Sequence, residues 1–224
     1  MIVVGFLQVG PPTPIPRIMV ASVRRAMRCR IVQMSDEQTE PVEGVDDVIR
    51  KPWDRKYLMP YRLLHLRDFP ADDDAIFLDA DIVVRKDLTP VFDREFDIAV
   101  TTREEHGIRY SGPSIPGFLD PGDDLTRRMP YNAGVLFHRP SARGFWAAAH
   151  QYCETLPANL RKWWGDQLAI KHVADAGVYR LIELPCQLYN HTPLTEDEDV
   201  SGKFIVHYKG DRKTWMLKQY SHPA

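Results

Sequence analysis

The chain has 224 residues, of which 27% are charged and 10% aromatic, with a formal net charge of −2 at pH 7. That length suits one substantial core, and the even charge balance argues against nucleic acid or an anionic membrane as the global partner. Cys29, Cys153 and Cys186 are too few, too widely spaced and too odd in number for a disulfide framework or a cysteine metal site, which points to a reducing compartment, the cytoplasm.

Met1–Leu7 is apolar but short and lacks a basic start, so it reads as a first strand from Ile2 rather than a signal peptide. No apolar run approaches the ~20 residues needed to span a bilayer. Four prolines between Gly10 and Pro16 predict a stiff loop. Helical spacing follows from Arg17 to Met27, with Arg17, Arg24, Arg25, Arg28 and Arg30 read as a solvated basic group. A second strand runs from Cys29 to Met34 and ends in Ser35-Asp36. Glu37 to Trp53 is polar and turn-rich, and Tyr57 to Leu66 returns to helical spacing with Arg62 on another face. Ala75 to Val84 is an apolar run interrupted by Asp79 and Asp81, which suits a buried strand. Asp97–Thr101 and Tyr131–Phe137 are further strands. Between them Arg103–Met129 is rich in Gly and Pro, a lid, binding element or disordered segment. Ser141 is placed to cap a helix through Phe145, Trp146 and Tyr152, and Gly165-Asp166 precede another. Val178–Leu184 and Phe204–His207 close the strand set before a basic tail at Lys209–Lys218. This alternation predicts an α/β fold, one Rossmann-like domain with a mostly parallel mixed sheet flanked by helices.

If the chain stays extended, Asp79 and Asp81 point the same way. Two carboxylates at the end of a buried strand need a cation or hydrogen bonds to compensate them, and oxygen ligands suit Mg2+ or Mn2+. The bland alternative is a turn cap and an ordinary strand end. Asp36 lies at a strand's carboxyl edge, where open α/β sheets bind ligands, or is a turn residue. Asp166 is also a candidate helix N-cap, Asn132 a turn residue, and His207 a hydrogen-bonded core histidine.

Asp79-Ala-Asp81, Asn132-Ala-Gly-Val135, Asp166-Gln167 and His207-Tyr-Lys-Gly-Asp-Arg-Lys-Thr-Trp215, in that order over residues 1–216, resemble glycosyltransferase family 8, retaining sugar transferases of the GT-A fold. The resemblance implies a single GT-A domain, with a nucleotide-binding half at 1–101 and a sugar and acceptor half at 102–224 that ends in a metal- and phosphate-binding tail. It implies that Asp79, Asp81 and His207 hold Mn2+, or Mg2+; imidazole beside carboxylates fits Mn2+ better. Lys213 would clamp phosphate, with Gly210 allowing close approach, although Thr214 stands where the family usually has Pro. Asn132, Asp166 and Gln167 would line the sugar, with Gln167 near the anomeric carbon in a front-face reaction. Gln8, Asp36 and Arg62 would meet the base and ribose, and Ala80 the nucleotide. Trp163 and Trp164 would stack on a sugar or are buried.

The donor implied is a UDP-hexose, UDP-glucose or UDP-galactose. The acceptor, a glycan, lipid-linked sugar, protein or small molecule, is left open. The short extension past Trp215 favours a soluble acceptor or a partner protein. Two other enzyme readings compete: a haloacid-dehalogenase-type phosphatase, because Asp79-Ala-Asp-Ile-Val83 also fits Asp-x-Asp-x-Val, and a nucleotidyltransferase. A non-catalytic nucleotide-sugar or glycan-binding module is the third alternative.

Overall fold

Short apolar runs flanked by polar turns form the strands of one central sheet. The computed structural model describes residues 1–53, 56–69, 72–103 and 109–220. In chain order, β1 (Val3–Leu7), α1 (Pro14–Ala26), β2 (Arg30–Ser35), β3 (Asp47–Arg50), α2 (Leu58–Asp68) and β4 (Ala75–Leu78) build one half. Next come β5 (Ile82–Val84), β6 (Ile98–Thr102), the short α3 (Leu125–Arg128), β7 (Tyr131–His138) and α4 (Arg143–Thr155). Finally there are α5 (Ala158–Lys162), α6 (Gly165–Asp175), β8 (Leu181–Leu184), α7 (Cys186–Tyr189), β9 (Ile205–His207) and α8 (Lys213–Tyr220).

The central sheet has the order β3-β2-β1-β4-β7-β6-β8, and only β7 runs against the others. Alternate residues of the central strands feed two cores, one on each face. Val3 and Phe77 pack with α2, α4 and α6, whereas Val4 and Ile76 pack with α1, β5, β9 and α8. The expectation of a mostly parallel α/β sheet flanked by helices describes this architecture.

Several local expectations need correction. Helix α1 starts at Pro14, inside the proline segment, because the first-turn N–H groups have no intrahelical acceptor and proline loses nothing there. The run from Ala75 to Val84 is two strands in different sheets: β4 is central, and β5 pairs antiparallel with β9. Strand β3 lies in the stretch read as turns; it is an edge strand whose two apolar residues leave little periodicity. Ser141 does not cap α4; its hydroxyl bonds to Asp97. Of the segment Arg103–Met129, residues 104–108 lie outside the described residues. The described remainder packs onto the core through Tyr110, Ile115, Leu119, Leu125 and Met129.

His65 and His138 are buried, and burial pushes each down to about 4. Trp146 Nε1 donates to His138 Nδ1 at 3.2 Å, while among the described residues His138 Nε2 and both His65 nitrogens have no hydrogen-bond partner. In the unfolded chain a histidine titrates near ~6.5, so between that value and about 4 the unfolded state binds more protons. Stability is therefore full above pH ~6.5 and falls as the pH drops towards 4. At pH 5 the loss is expected to be about 2 kcal/mol per histidine. Melting curves between pH 7 and pH 5 check this, and His65→Leu/His138→Phe should flatten the slope.

Candidate active site

The parallel strands β1, β2 and β4 end on the same edge of the sheet, and β7 begins there because it runs the other way. After β1 the chain builds β2 on one side, and β4 joins on the other. That is the switch point where open α/β sheets form a crevice. A cleft of about 910 Å3 opens at it. It is lined by every residue singled out from the sequence except Asp36: Gln8, Arg62, Asp79, Ala80, Asp81, Asn132, Asp166, Gln167, His207, Gly210 and Lys213. Asp36 is buried outside the cleft lining, where Oδ1 accepts from Gln38 N at 3.1 Å and Thr39 N at 2.7 Å, the geometry of a turn.

The two aspartates sit where the chain leaves the central sheet. Asp79 N donates to Gly134 O at 2.8 Å, and Tyr208 N donates to Asp81 O at 2.9 Å. Ile82 of β5 pairs with His207 of β9, so the second sheet carries the imidazole to the acidic turn. His207 Nε2 lies 3.0 Å from Asp81 Oδ1 and 3.6 Å from Asp79 Oδ2. Gly134 is required beside them, since a Cβ there would lie 2.5 Å from His207 Cε1 and 2.8 Å from Asp79 Oδ2.

On its other nitrogen, His207 Nδ1 is 2.8 Å from Oδ1 of buried Asn190, whose Nδ2 donates to Thr101 Oγ1 at 2.7 Å. An amide oxygen only accepts, so Nδ1 carries a hydrogen and Nε2 faces the two carboxylates, able to pair with them when it carries a proton and to act as a third ligand when it does not. Such a donor set repels itself unless a cation or a proton lies within it. The three groups offer ligand atoms within 4.8 Å of one another, so the residues present fit a divalent ion such as Mn2+. Burial acts to raise the Asp81 carboxyl, but the hydrogen bond and charge of His207, with Lys213, outweigh it and hold the group below the usual carboxylate range.

Arg62 ties this turn to α6. Its Nη2 is 2.7 Å from Asp79 Oδ1 and also donates to Ala133 O, and its Nη1 is 3.1 Å from Asp166 Oδ2. Asp166 is buried in the first turn of α6 and is not its N-cap; that position is Trp164, at φ 70°. Burial raises the Asp166 carboxyl, Arg62 pulls it back, and Asp79 adds to the rise. Arg62 therefore stands between the acidic turn and Asp166. Asn132 Oδ1 accepts from Gly134 N at 2.8 Å.

Two functional candidates escaped the sequence reading. Arg103, noted there only as a loop boundary, donates through Nη2 to Gln167 Oε1 and through Nε to Met129 O at 2.6 Å. Asn190 lies in a stretch with no motif, and only the register of β9 reveals it. Trp163 is 60% exposed at the cleft, whereas Trp164 is half-buried against the Tyr110 ring at 5.6 Å. Lys213 Nζ is 3.1 Å from Asp81 Oδ2. Gly210 has φ 61° and open space where a Cβ would stand, so its turn rather than crowding calls for glycine. Thr214 sits in the first turn of α8, where a proline would also be accommodated, and its Oγ1 donates to Asp211 O.

No family model matches the chain. Two curated Arabidopsis thaliana proteins, probable galacturonosyltransferases 14 and 13, are each 25% identical over 181 residues, covering 69% of this chain. The match takes in 32% of each relative, so the chain spans about a third of their length. Among solved structures, a glycosyltransferase involved in glycosylation of the major capsid of PBCV-1 aligns with TM-score 0.66 and 16% identity over 99% of both chains. The Streptococcus pneumoniae glycosyltransferase GlyE gives 0.63 and 18%, over 99% of this chain and 60% of that one. The galactosyltransferase LgtC, solved with donor and acceptor sugar analogues, gives 0.58 and 15%, over 100% and 98%. In sequence the chain is similar to these galacturonosyltransferases, and it has the GT-A fold of the glycosyltransferases it aligns with.

Proposed function

We propose that the chain transfers a hexose from a UDP-sugar to an acceptor, with retention, using a divalent cation at Asp79, Asp81 and His207. The observation that carries this reading is the convergence of those three side chains with Lys213, Asn132, Asp166 and Gln167 on one cleft of about 910 Å3. UDP-glucose and UDP-galactose are the leading donors, and Mn2+ the leading ion, with Mg2+ second. The ion, when bound, would neutralise charge on the leaving diphosphate.

The chain's own groups do the rest. Lys213 offers three N–H donors to phosphate oxygens. Asn132 and Asp166 hold sugar hydroxyls in fixed directions, and Arg62 pairs with the buried Asp166 and holds it in place. Arg103 has only donors, so it occupies Gln167 Oε1 and leaves the amide nitrogen for the sugar. An amide held this way supports a front-face reaction in which the leaving phosphate takes the acceptor's proton, rather than a covalent intermediate on Gln167. Gln8, on the cleft lining, would meet the base or ribose. Residues 1–101 then serve the nucleotide and 102–224 the sugar, acceptor and metal-binding tail. Among the described residues no helix is long and apolar enough to cross a membrane, and the cysteines are free thiols. We place the protein in the cytoplasm on the latter.

A hydrolysis screen of UDP-glucose, UDP-galactose and UDP-galacturonate with Mn2+ tests the reading, because slow hydrolysis reveals a donor before the acceptor is known. Release of UDP from one of them, abolished by a chelator, is expected. Release of phosphate from generic phosphoesters with no UDP-sugar cleaved would contradict it.

A further inference from the structure

All four carboxylate oxygens of Asp79 and Asp81 already have a nitrogen partner. Asp79 Oδ1 is 2.7 Å from Arg62, Asp79 Oδ2 is 3.6 Å from His207, Asp81 Oδ1 is 3.0 Å from His207, and Asp81 Oδ2 is 3.1 Å from Lys213. A divalent cation that binds here must loosen at least one of these contacts, and the partners are not equally replaceable. The Arg62 side chain is 11% exposed and held by Asp166 and Ala133; that of His207 is 4% exposed and held by Asn190. The Lys213 side chain is 46% exposed and makes no second ion pair among the described residues. It also starts α8, the end of a helix at which the backbone dipole disfavours a positive charge. Nothing in the helix itself holds the ammonium in place; Asp81 does.

We infer that Lys213 is a counter-ion for Asp81 that a divalent cation must displace, so that uptake of the cation and of a nucleoside diphosphate depend on each other. The inference rests on the function proposed above. With no anion present, the ammonium repels an entering dication and competes for Asp81 Oδ2. Diphosphate oxygens offer the same ammonium a stronger acceptor set and draw it off the carboxylate. By linkage, whatever the nucleotide gains from the cation the cation gains from the nucleotide.

Removing the charge therefore has effects of opposite sign. A phosphate clamp alone predicts weaker nucleotide binding and unchanged cation binding, and a merely structural lysine predicts that both weaken. The experiment is a Mn2+ titration followed by the electron paramagnetic resonance signal of the free ion, with and without UDP, on wild type, Lys213→Met and Lys213→Arg. A parallel UDP titration is run at saturating Mn2+. Lys213→Met is expected to bind Mn2+ alone roughly 3- to 10-fold more tightly and UDP about 10-fold or more weakly. Lys213→Arg restores both towards wild type. A Lys213→Met protein with unchanged or weaker Mn2+ binding overturns the inference and leaves the proposed function standing. A wild-type protein that binds neither Mn2+ nor UDP overturns the function on which the inference rests.

Discussion

Asp81→Ala and His207→Ala are each expected to lower Mn2+-dependent cleavage of the UDP-sugar by about 10^3-fold or more, roughly 4 kcal/mol of transition-state stabilisation. The two residues reach the site independently, one on the turn after β4 and one on β9, and meet at 3.0 Å. Losing either would leave two donors of the three that can converge on a cation. Excess Mn2+ should recover part of the loss, because the remaining pair still attracts the ion. Steady-state rates across a Mn2+ series check this. Full activity in either variant would remove that residue from the metal site. Asn190→Leu is the contrasting case: it leaves all three ligands in place but frees His207 Nδ1, and a 10- to 100-fold weaker metal affinity is the scale expected for such a supporting partner.

Arg62→Ala is expected to be the most damaging substitution for stability. It strands the carboxylate of Asp166, which is 1% exposed, and removes the partner of Asp79 Oδ1. Breaking one member of a buried ion pair costs about 3–5 kcal/mol, which for a chain of this size lowers the melting temperature by roughly 10 °C. The remedy distinguishes a stranded charge from lost packing. Arg62→Met with Asp166→Leu removes both charges and should recover much of the stability while remaining inactive. Calorimetry of the two variants checks the pair. A double variant no more stable than Arg62→Ala would assign the cost to packing, including the stacking of the guanidinium on the Phe77 ring at 5.0 Å.

The sequence carried most of the sheet because its strands are short apolar runs buried on both faces, and β1, β2, β4 and β7 all announce themselves that way. It brought Asp79, Asp81 and His207 forward only through the resemblance of their motifs, since each alone reads equally as a turn cap, a strand end or a core histidine; the fold sets the three side chains side by side. What it hid was set by geometry between distant segments. Nothing in Ala75–Val84 says that the chain leaves the central sheet at the two aspartates; that follows from the pairing of β5 with β9, a segment far along the chain. Pro14 in a first helical turn is silent in a pattern that treats clustered prolines as breakers. Arg103, Asn190 and the contact of Lys213 with Asp81 carry no local signature, since an arginine, asparagine or lysine becomes informative only once its partner is known. Asp36 shows the limit of position alone: a strand end allowed either a ligand contact or a turn residue, and its hydrogen bonds are those of a turn.

If Asp79, Asp81 and His207 hold a divalent ion, nucleotide binding should need that ion. Calorimetric titration of UDP into wild-type protein, with Mn2+ and then with chelator, tests it most directly. Binding with Mn2+ is expected to weaken at least about 10-fold on chelation, with the metal-dependent gain absent in His207→Ala. Equal UDP affinity with and without the ion, or a metal-dependent gain retained in His207→Ala, would contradict it.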